Sequence, residues 1–237
     1  MTSEPDPKTG QPVGLPVDTT PAKRPEPVVL QGRFGLLEKL NVRYAAALWP
    51  RVKDHDEIWT YMSRYGPFSG FDAFSKWMAG FSESDDPYTY AIVNTEGYAA
   101  GFLALMRIEP AMRVVEVGHV LYSPSLQRTP LATEAQYLLA RYVFETLGYR
   151  RYEWKCHWLN DASRRAALRL GFSFEGVHRQ LIIAKGRNRD TAWYSMLDSE
   201  WPDRKRKFER WLAPENFTAE GKQKQSLAAM NAGNAAK

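Results

Sequence analysis

The stretch GHVLYSPSLQRTPLATEA, residues 118–135, constrains this chain more than any other, because it reads as a strand, a sharp turn and the start of a helix. The apolar run Val114–Tyr122 stops at Ser123-Pro124. Apolar residues return at Leu131, Ala135, Leu138, Leu139, Tyr142 and Val143, the period of an amphipathic helix, and Gly148 predicts where it ends. A strand that turns tightly into a helix leaves the first helical N–H groups unpaired at the positive end of the macrodipole. Residues 127–133 are therefore predicted to cradle a phosphate. A plain strand-to-helix turn is the competing reading of the same residues.

Around this junction the sequence alternates between packed elements and punctuation. Residues 1–29, rich in Pro, Thr and charge and poor in aromatics, predict a disordered arm, since such a segment buries too little surface to offset its ordering entropy. A first strand is predicted over 30–40. Asn41 then suits the N-cap of a helix that runs to Leu48 and is interrupted by Pro50. Residues 54–63 and 72–81 predict two more helices, separated by a Gly-Pro turn. Aromatic and β-branched residues over 88–93 and 98–108, joined by Asn94-Thr95-Glu96-Gly97, predict a hairpin.

After the 114–122 strand and its helix come a strand over 152–157, a helix over 161–170, and strands near 172–183 and 191–197. This order predicts an α+β fold: a mixed, mostly antiparallel sheet of about seven strands flanked by helices, with one parallel crossover at the phosphate loop. The domain spans 30–198. A basic amphipathic helix over 199–213 carries Phe208, Trp211 and Leu212 on its apolar edge, and a polar tail, 214–237, is expected to fray.

Composition narrows the partners. No apolar stretch reaches the roughly 20 residues of a membrane span, and the N-terminus lacks the apolar core of a signal peptide, so a cytoplasmic location without membrane association is expected. Cys156 is the only cysteine and the four histidines show no ligand spacing, which excludes an intramolecular disulfide and leaves no predicted metal site. The formal charge of +5 suits an anionic partner. Its excess gathers at 204–207 with Arg210, and at Lys185, Arg187 and Arg189 in one loop; such runs most often form solvated faces, and nucleic-acid or ribosome association is the alternative.

The loop resembles the acyl-CoA pyrophosphate loop of the GNAT (Gcn5-related) N-acetyltransferase superfamily, Q/R-x-x-G-x-G/A, with Gln127, Pro130 and Ala132 at the patterned positions. The run Ala132-Thr133-Glu134-Ala135, the pair Asn160-x-x-Ser163 and Leu170-Gly171-Phe172 are similar to the RimJ/RimL branch, which acetylates protein N-termini. The resemblance covers residues 30–198. It implies acetyl-CoA as acyl donor and no metal, with cofactor contacts from Leu121, Tyr122, Gln127, Arg128, Thr129, Leu131, Ala132, Thr133, Asn160 and Ser163. Pro130 departs from the pattern: it stands where the family has a glycine and offers no N–H, although proline suits the first helical position. Arg128 either supplies a compensating charged contact or is a solvated surface residue.

For chemistry, the resemblance implies direct attack of a primary amine on the thioester in a ternary complex, with a main-chain N–H of the 114–122 strand facing the thioester oxygen. Ser163 matches the serine that protonates the leaving thiolate in the RimL-like branch; the tyrosine used elsewhere falls at Ala167. Capping of the following helix is the competing role of Asn160, Asp161 or Ser163. The branch's glutamate base falls at Ile182. Glu116 matches a carboxylate that other members carry on this strand, against a plain reading as a solvent-facing residue beside Arg113. His119 titrates in a useful range, yet alternation sends it to the face opposite Glu116 unless a bulge intervenes.

A missing base favours a weakly basic acceptor. An α-amine titrates at ~7.7 to 8.0, against about 10.4 for lysine, which favours an α-amine or another weakly basic amine; the RimJ/RimL resemblance implies a protein N-terminus as the acceptor, with a small-molecule amine as alternative. The aromatic residues Trp59, Tyr61, Met62, Tyr65, Phe68 and Phe71 are core by default; Tyr65 and Phe68, flanking Gly66-Pro67, are the substrate-binding candidates. Cys156 is read as a small buried hydrophobe rather than a nucleophile. A non-catalytic acyl-CoA-binding or sensing module is the remaining alternative.

Overall fold

Residues 3–232 are described by a computed structural model, and within them the chain forms one large sheet with helices on both faces. A small hairpin, β1 (Ser3–Pro5) with β2 (Pro12–Gly14), stands apart. The sheet comprises β3 (Leu30–Gln31), β4 (Gly35–Lys39), β5 (Tyr88–Asn94), β6 (Ala99–Glu109), β7 (Val114–Tyr122), β8 (Arg151–His157), β9 (Ser173–Ala184) and β10 (Arg187–Leu197), in the order β3-β4-β5-β6-β7-β8-β10-β9. Every neighbouring pair is antiparallel except β7 and β8. The helices are α1 (Ala45–Val52), α2 (Phe71–Ser82), α3 (Pro130–Arg141), α4 (Asp161–Arg169), α5 (Trp201–Leu212) and α6 (Leu227–Ala232). This is the expected mixed α+β fold.

Two apolar layers sandwich the central strands, which is why β5 and β6 read as continuous apolar runs rather than as an alternation. On one face Leu48, Val52, Phe74 and Met78 of α1 and α2 pack with Ala91, Val93, Phe102 and Leu121. On the other, Leu103, Leu105, Val115 and Val117 pack beneath α3 and α5 through Leu138, Leu139, Phe208 and Trp211. Helix α3 is buried along its whole length from Leu131 to Ala140. Beyond it a π-turn over Tyr142–Leu147 ends at Gly148, whose φ of 79° supplies the left-handed stop that the sequence predicts.

Several boundaries differ from expectation for identifiable reasons. The single strand expected over 30–40 breaks into β3 and β4 because the Glu134 carboxylate accepts from the amides of Arg33 and Phe34, both at 2.7 Å, and pins a turn there; the sheet thus has eight strands rather than about seven. Pro50 lies inside α1 instead of ending it, and the Arg51 guanidinium hydrogen-bonds the Ala47 carbonyl within the same short helix. The helix expected over 54–63 contracts to a 3-10 turn, Asp56–Trp59.

Of the arm expected to be disordered, the part from Asp18 contacts the domain, while residues 3–17 are almost wholly exposed. Ala22 is buried, the amides of Ala22 and Lys23 donate to the carbonyls of Pro110 and Leu147, and Arg113 pairs with Asp18. Those two main-chain bonds, which composition does not register, hold residues 22–23. The expected polar tail likewise docks: Asn216 bonds Trp211 and Gln225, and Leu227 and Met230 of α6 are buried. Residues 1–2 and 233–237 lie outside the described residues. No helix among the described residues is long and apolar enough to cross a membrane.

Candidate active site

The sheet opens where its one parallel pair ends. Strands β7 and β8 pair from Val114 with Arg151 to Val117 with Trp154, and no pairing follows. Above that point β7 continues with β6, to Tyr122 opposite Gly101, while β8 continues with β10, to His157 opposite Thr191. A wedge therefore opens between 118–122 and 155–157 at the carboxyl ends of two parallel strands. Helices α3 and α4 both start at that end. This is the crevice in which α/β sheets admit ligands, since the inner strand edges lack a strand partner there and helix N-termini face it.

The loop between β7 and α3 has the makings of an anion site. The Ser123 carbonyl accepts from the amides of Leu126 and Gln127, and Arg128 takes a left-handed φ of 63°. Thr129 is the N-cap, its hydroxyl accepting from the Ala132 amide at 3.2 Å, and Pro130 occupies the first turn. The amides of Arg128 and Leu131 have no hydrogen-bond partner among the described residues. Two free main-chain donors remain despite the proline. Gln127 reaches back to the Tyr122 carbonyl; the Tyr122 hydroxyl, buried beneath the helix, donates to Ala132 and accepts from Gln136. The Thr133 hydroxyl accepts from Arg169, a guanidinium belonging to α4. Arg128 is exposed and makes no ion pair among the described residues.

His119 lies at the mouth of the wedge because β7 is bulged. Opposite Leu103 of β6 the strand carries two residues, His119 and Val120, and the φ of His119 is 50°. The slip shows in the packing: Val117 and Leu121, four residues apart, belong to opposite faces of the sheet. His119 is thereby turned to the α2 side, the side of Glu116, so the condition under which alternation fails is met. Its ring stacks on Tyr65 at 5.6 Å and meets the edge of Phe81 at 5.3 Å, and its Nδ1 lies 2.5 Å from the Tyr65 hydroxyl. Burial, with Arg64 and Arg189 nearby, pushes the imidazole down to about 4. It is neutral near pH 7. Burial raises the Tyr65 phenol well above its ordinary range, so that hydroxyl stays protonated.

Glu116 is not the solvent-facing residue of the plain reading; it is 5% exposed and paired with Lys155 at 3.1 Å and Arg107 at 3.3 Å. Burial pushes its carboxyl up against the pull of those cations. Lys155 also pairs with Glu153 and lies over the Trp193 ring. Arg113, named beside Glu116 in that reading, instead bonds the Gly148 carbonyl.

Across the wedge, Asn160 caps α4 by accepting from the Ser163 amide at 3.1 Å, so capping falls to Asn160. The Ser163 hydroxyl accepts from the Trp154 indole at 3.0 Å, which leaves its own hydrogen to donate elsewhere. Cys156 lies beside it, and burial raises its thiol, the opposite of what a nucleophile requires. Ala167 is fully buried beneath the helix. Phe68, half-buried, packs against Trp59, Phe74 and Trp77 at ring distances of 5.0 to 5.5 Å on the edge of the aromatic core.

One part of the site escaped sequence reading. Residues 59–66 cross from the α2 layer to the far half of the sheet, where the Tyr61 hydroxyl bonds the Leu159 carbonyl and the Lys185 ammonium bonds the carbonyls of Trp59 and Gly66. Arg189 bonds the Ser63 hydroxyl. Lys185 and Arg189 read as solvated charges in sequence, and nothing local distinguishes them from Arg187.

Comparison with known proteins agrees with this geometry. The family described as acetyltransferase (GNAT) domain matches residues 36–173. A crystal structure of a GCN5-related N-acetyltransferase from Brucella melitensis is 46% identical, covers 90% of this chain and 98% of its own, and superposes with a TM-score of 0.87. A probable acetyltransferase of the GNAT family from Chromobacterium violaceum ATCC 12472 is 40% identical over 83% of this chain and 100% of its own, with a TM-score of 0.75. A curated relative from Bacillus subtilis (strain 168), "Putative ribosomal N-acetyltransferase YdaF", is 28% identical over 110 residues, 46% of this chain. The chain spans 60% of that relative's length.

Proposed function

The chain belongs to the GNAT acetyltransferase family, and from that premise we propose that it transfers the acetyl group of acetyl-CoA to a primary α-amine, by direct attack with both substrates bound. The observation that carries this reading is the wedge above the Val117–Trp154 pair, with the unpartnered amides of Arg128 and Leu131 at its mouth. Those two amides, with the Arg128 side chain, hold the diphosphate. The free edge of β7 at Leu121 and Tyr122 pairs with the pantetheine amides, and Leu131, Ala132, Thr133 and Asn160 shape the rim.

The amine lone pair attacks the thioester carbonyl carbon, the C–S bond breaks, sulfur takes one proton and the amine loses one. Main-chain N–H groups at the bulge, held in place by the bulge itself, receive the developing oxyanion. Ser163 donates to the thiolate: its oxygen accepts from the Trp154 indole, and its hydrogen faces only the weak acceptor Cys156. His119 is the base: it is neutral, lies at the wedge and holds its Nδ1 against Tyr65, which orients the ring. Glu116, committed to Lys155 and Arg107, acts by fixing the charge balance beneath the site. An imidazole so depressed is a weak base, which suits an α-amine that is already partly neutral and does not suit lysine. The similarity to the RimJ/RimL branch and to a relative named as a ribosomal N-acetyltransferase supports a protein N-terminus as acceptor. A small amine in the cytoplasm is the next candidate.

The test is thiol release from acetyl-CoA, measured across peptides with free N-termini, lysine-only peptides and small amines, alongside calorimetry with CoA. Release with α-amines that exceeds release with lysine side chains is expected. Saturable CoA binding with no release from any amine would replace the transferase with a sensing module, and absence of CoA heat from folded protein would remove both.

A further inference from the structure

Arg189 holds a charge on the acceptor side of the wedge that no carboxylate among the described residues pairs with directly. It belongs to β10 beyond the last residue paired to β8, with a bulge between Arg189 and Thr191 in its pairing to β9. From there its side chain reaches Ser63 in the segment that crosses the wedge. Its Nε is buried with no acceptor, and among the described residues it forms no ion pair. The charge is electrostatically coupled to His119, Cys156 and Glu116, which places it beside the groups assigned to the chemistry. Arg64, exposed on the crossing segment, adds a second cation that His119 senses.

The carboxylates that surround this spot are already committed. Glu116 is taken by Lys155 and Arg107. Asp86 accepts from the amides of Arg107 and Ile108. Asp190 accepts from the Gln180 amide and the Asn188 side chain. A guanidinium presents five N–H donors in a fork that fits a carboxylate, and half-burying it with one hydroxyl partner and a buried, unpartnered Nε leaves donors that a ligand can complete. The same positive field works against a lone ammonium. An acceptor that brings its own anion close to its amine enters where a simple monoamine is repelled.

We infer that the acceptor carries a carboxylate next to the reacting amine and that Arg189 is the residue that recognises it. The inference rests on the acetyltransferase reading of this wedge and narrows its substrate class. Two sources share the carboxylate: that of a free amino acid, and the side chain of an Asp or Glu that begins a peptide; the free amino acid has the more basic amine, so the weak base at His119 favours the second.

The experiment compares acid and amide forms in pairs: peptides that begin with Glu against the same peptides that begin with Gln, and free amino acids against their carboxamides. Thiol release gives kcat and KM separately, and calorimetry on the CoA complex with N-acetyl amino acids and their amides gives binding without turnover. A KM lower by about ten- to a hundredfold for the acid form is expected from a charge-assisted pair. The pair of substrates that shows the gap identifies the source. Arg189→Gln should raise the KM of the acid form to that of its amide partner, with CoA binding retained as proof of folding; Ser63→Ala, which only loosens the guanidinium, should close part of the gap.

Equal KM and equal binding for acid and amide forms in the unaltered protein would overturn the inference while leaving the transferase intact. A preserved acid preference in binding, with no thiol release from any amine, would keep the anion site and sink the transferase reading instead.

Discussion

The neutral state of His119 has a consequence for stability that can be measured without any substrate. The imidazole is enclosed by Tyr65, Phe81, Arg64, Asp86 and Arg189, and of the charged groups only Asp86 favours its protonation. Its value in the folded protein is about 4, against 6.5 for the exposed group. Between these values the unfolded chain binds a proton that the folded one refuses, so acid favours unfolding. Stability is fully present above about pH 6.5, declines as pH falls and stops declining below about 4. The linkage relation gives a loss of about 2 kcal/mol between pH 7 and pH 5 from this residue alone. That is a large fraction of the 5–15 kcal/mol typical of a domain.

His119→Asn is the appropriate perturbation, since asparagine tolerates the left-handed φ of 50° that the bulge imposes and does not titrate. Urea unfolding of both proteins, followed at several pH values from 7 down to 5, separates two effects. Loss of packing and of the Tyr65 bond lowers the variant's stability by a constant amount at every pH. The histidine contribution changes with pH, so the gap between the two proteins should narrow by about 2 kcal/mol on acidification. Parallel curves would show that His119 titrates normally in the folded state, and the assignment of a desolvated neutral base would be wrong. Widening curves would mean that the folded state favours the imidazolium, which the cations around it make untenable.

Two further outcomes are expected. Ser163→Ala should lower kcat about a hundredfold while the KM for acetyl-CoA stays within about a factor of two, as loss of a proton donor predicts; unchanged kcat would assign the hydroxyl to accepting from Trp154 and nothing more. Pro130→Ala restores an N–H at the first helical position, and one more donor to the diphosphate should tighten CoA by about three- to tenfold in calorimetry. No change in affinity would place the phosphates away from the start of α3.

The parts legible in the sequence are those decided locally. The β7–α3 junction follows from a change of period between Tyr122 and Leu131, with Pro130 and Gly148 as its stops, and the Asn160 cap follows from side-chain chemistry three residues deep. The parts that were not legible depend on which strand lies alongside. The bulge at His119 exists only as a mismatch between two residues of β7 and Leu103 of β6, so alternation counted along β7 alone gives the wrong face. In residues 54–63, Trp59 and Met62 recur at helical spacing, yet the segment crosses the sheet because its partners, Leu159 and Lys185, are about a hundred residues away in sequence. The charge run Lys185, Arg187 and Arg189 shows the limit most clearly. A solvated face is the sound expectation for three basic residues in a hairpin, and Arg187 obeys it. Lys185 stays exposed but is tied by two main-chain carbonyls, and Arg189 is half-buried against a serine hydroxyl, both reached from the crossing segment. Those acceptors satisfy Lys185 and leave Arg189 short of an anion, so the residue that sequence reading dismissed is the one on which the proposed acceptor specificity rests.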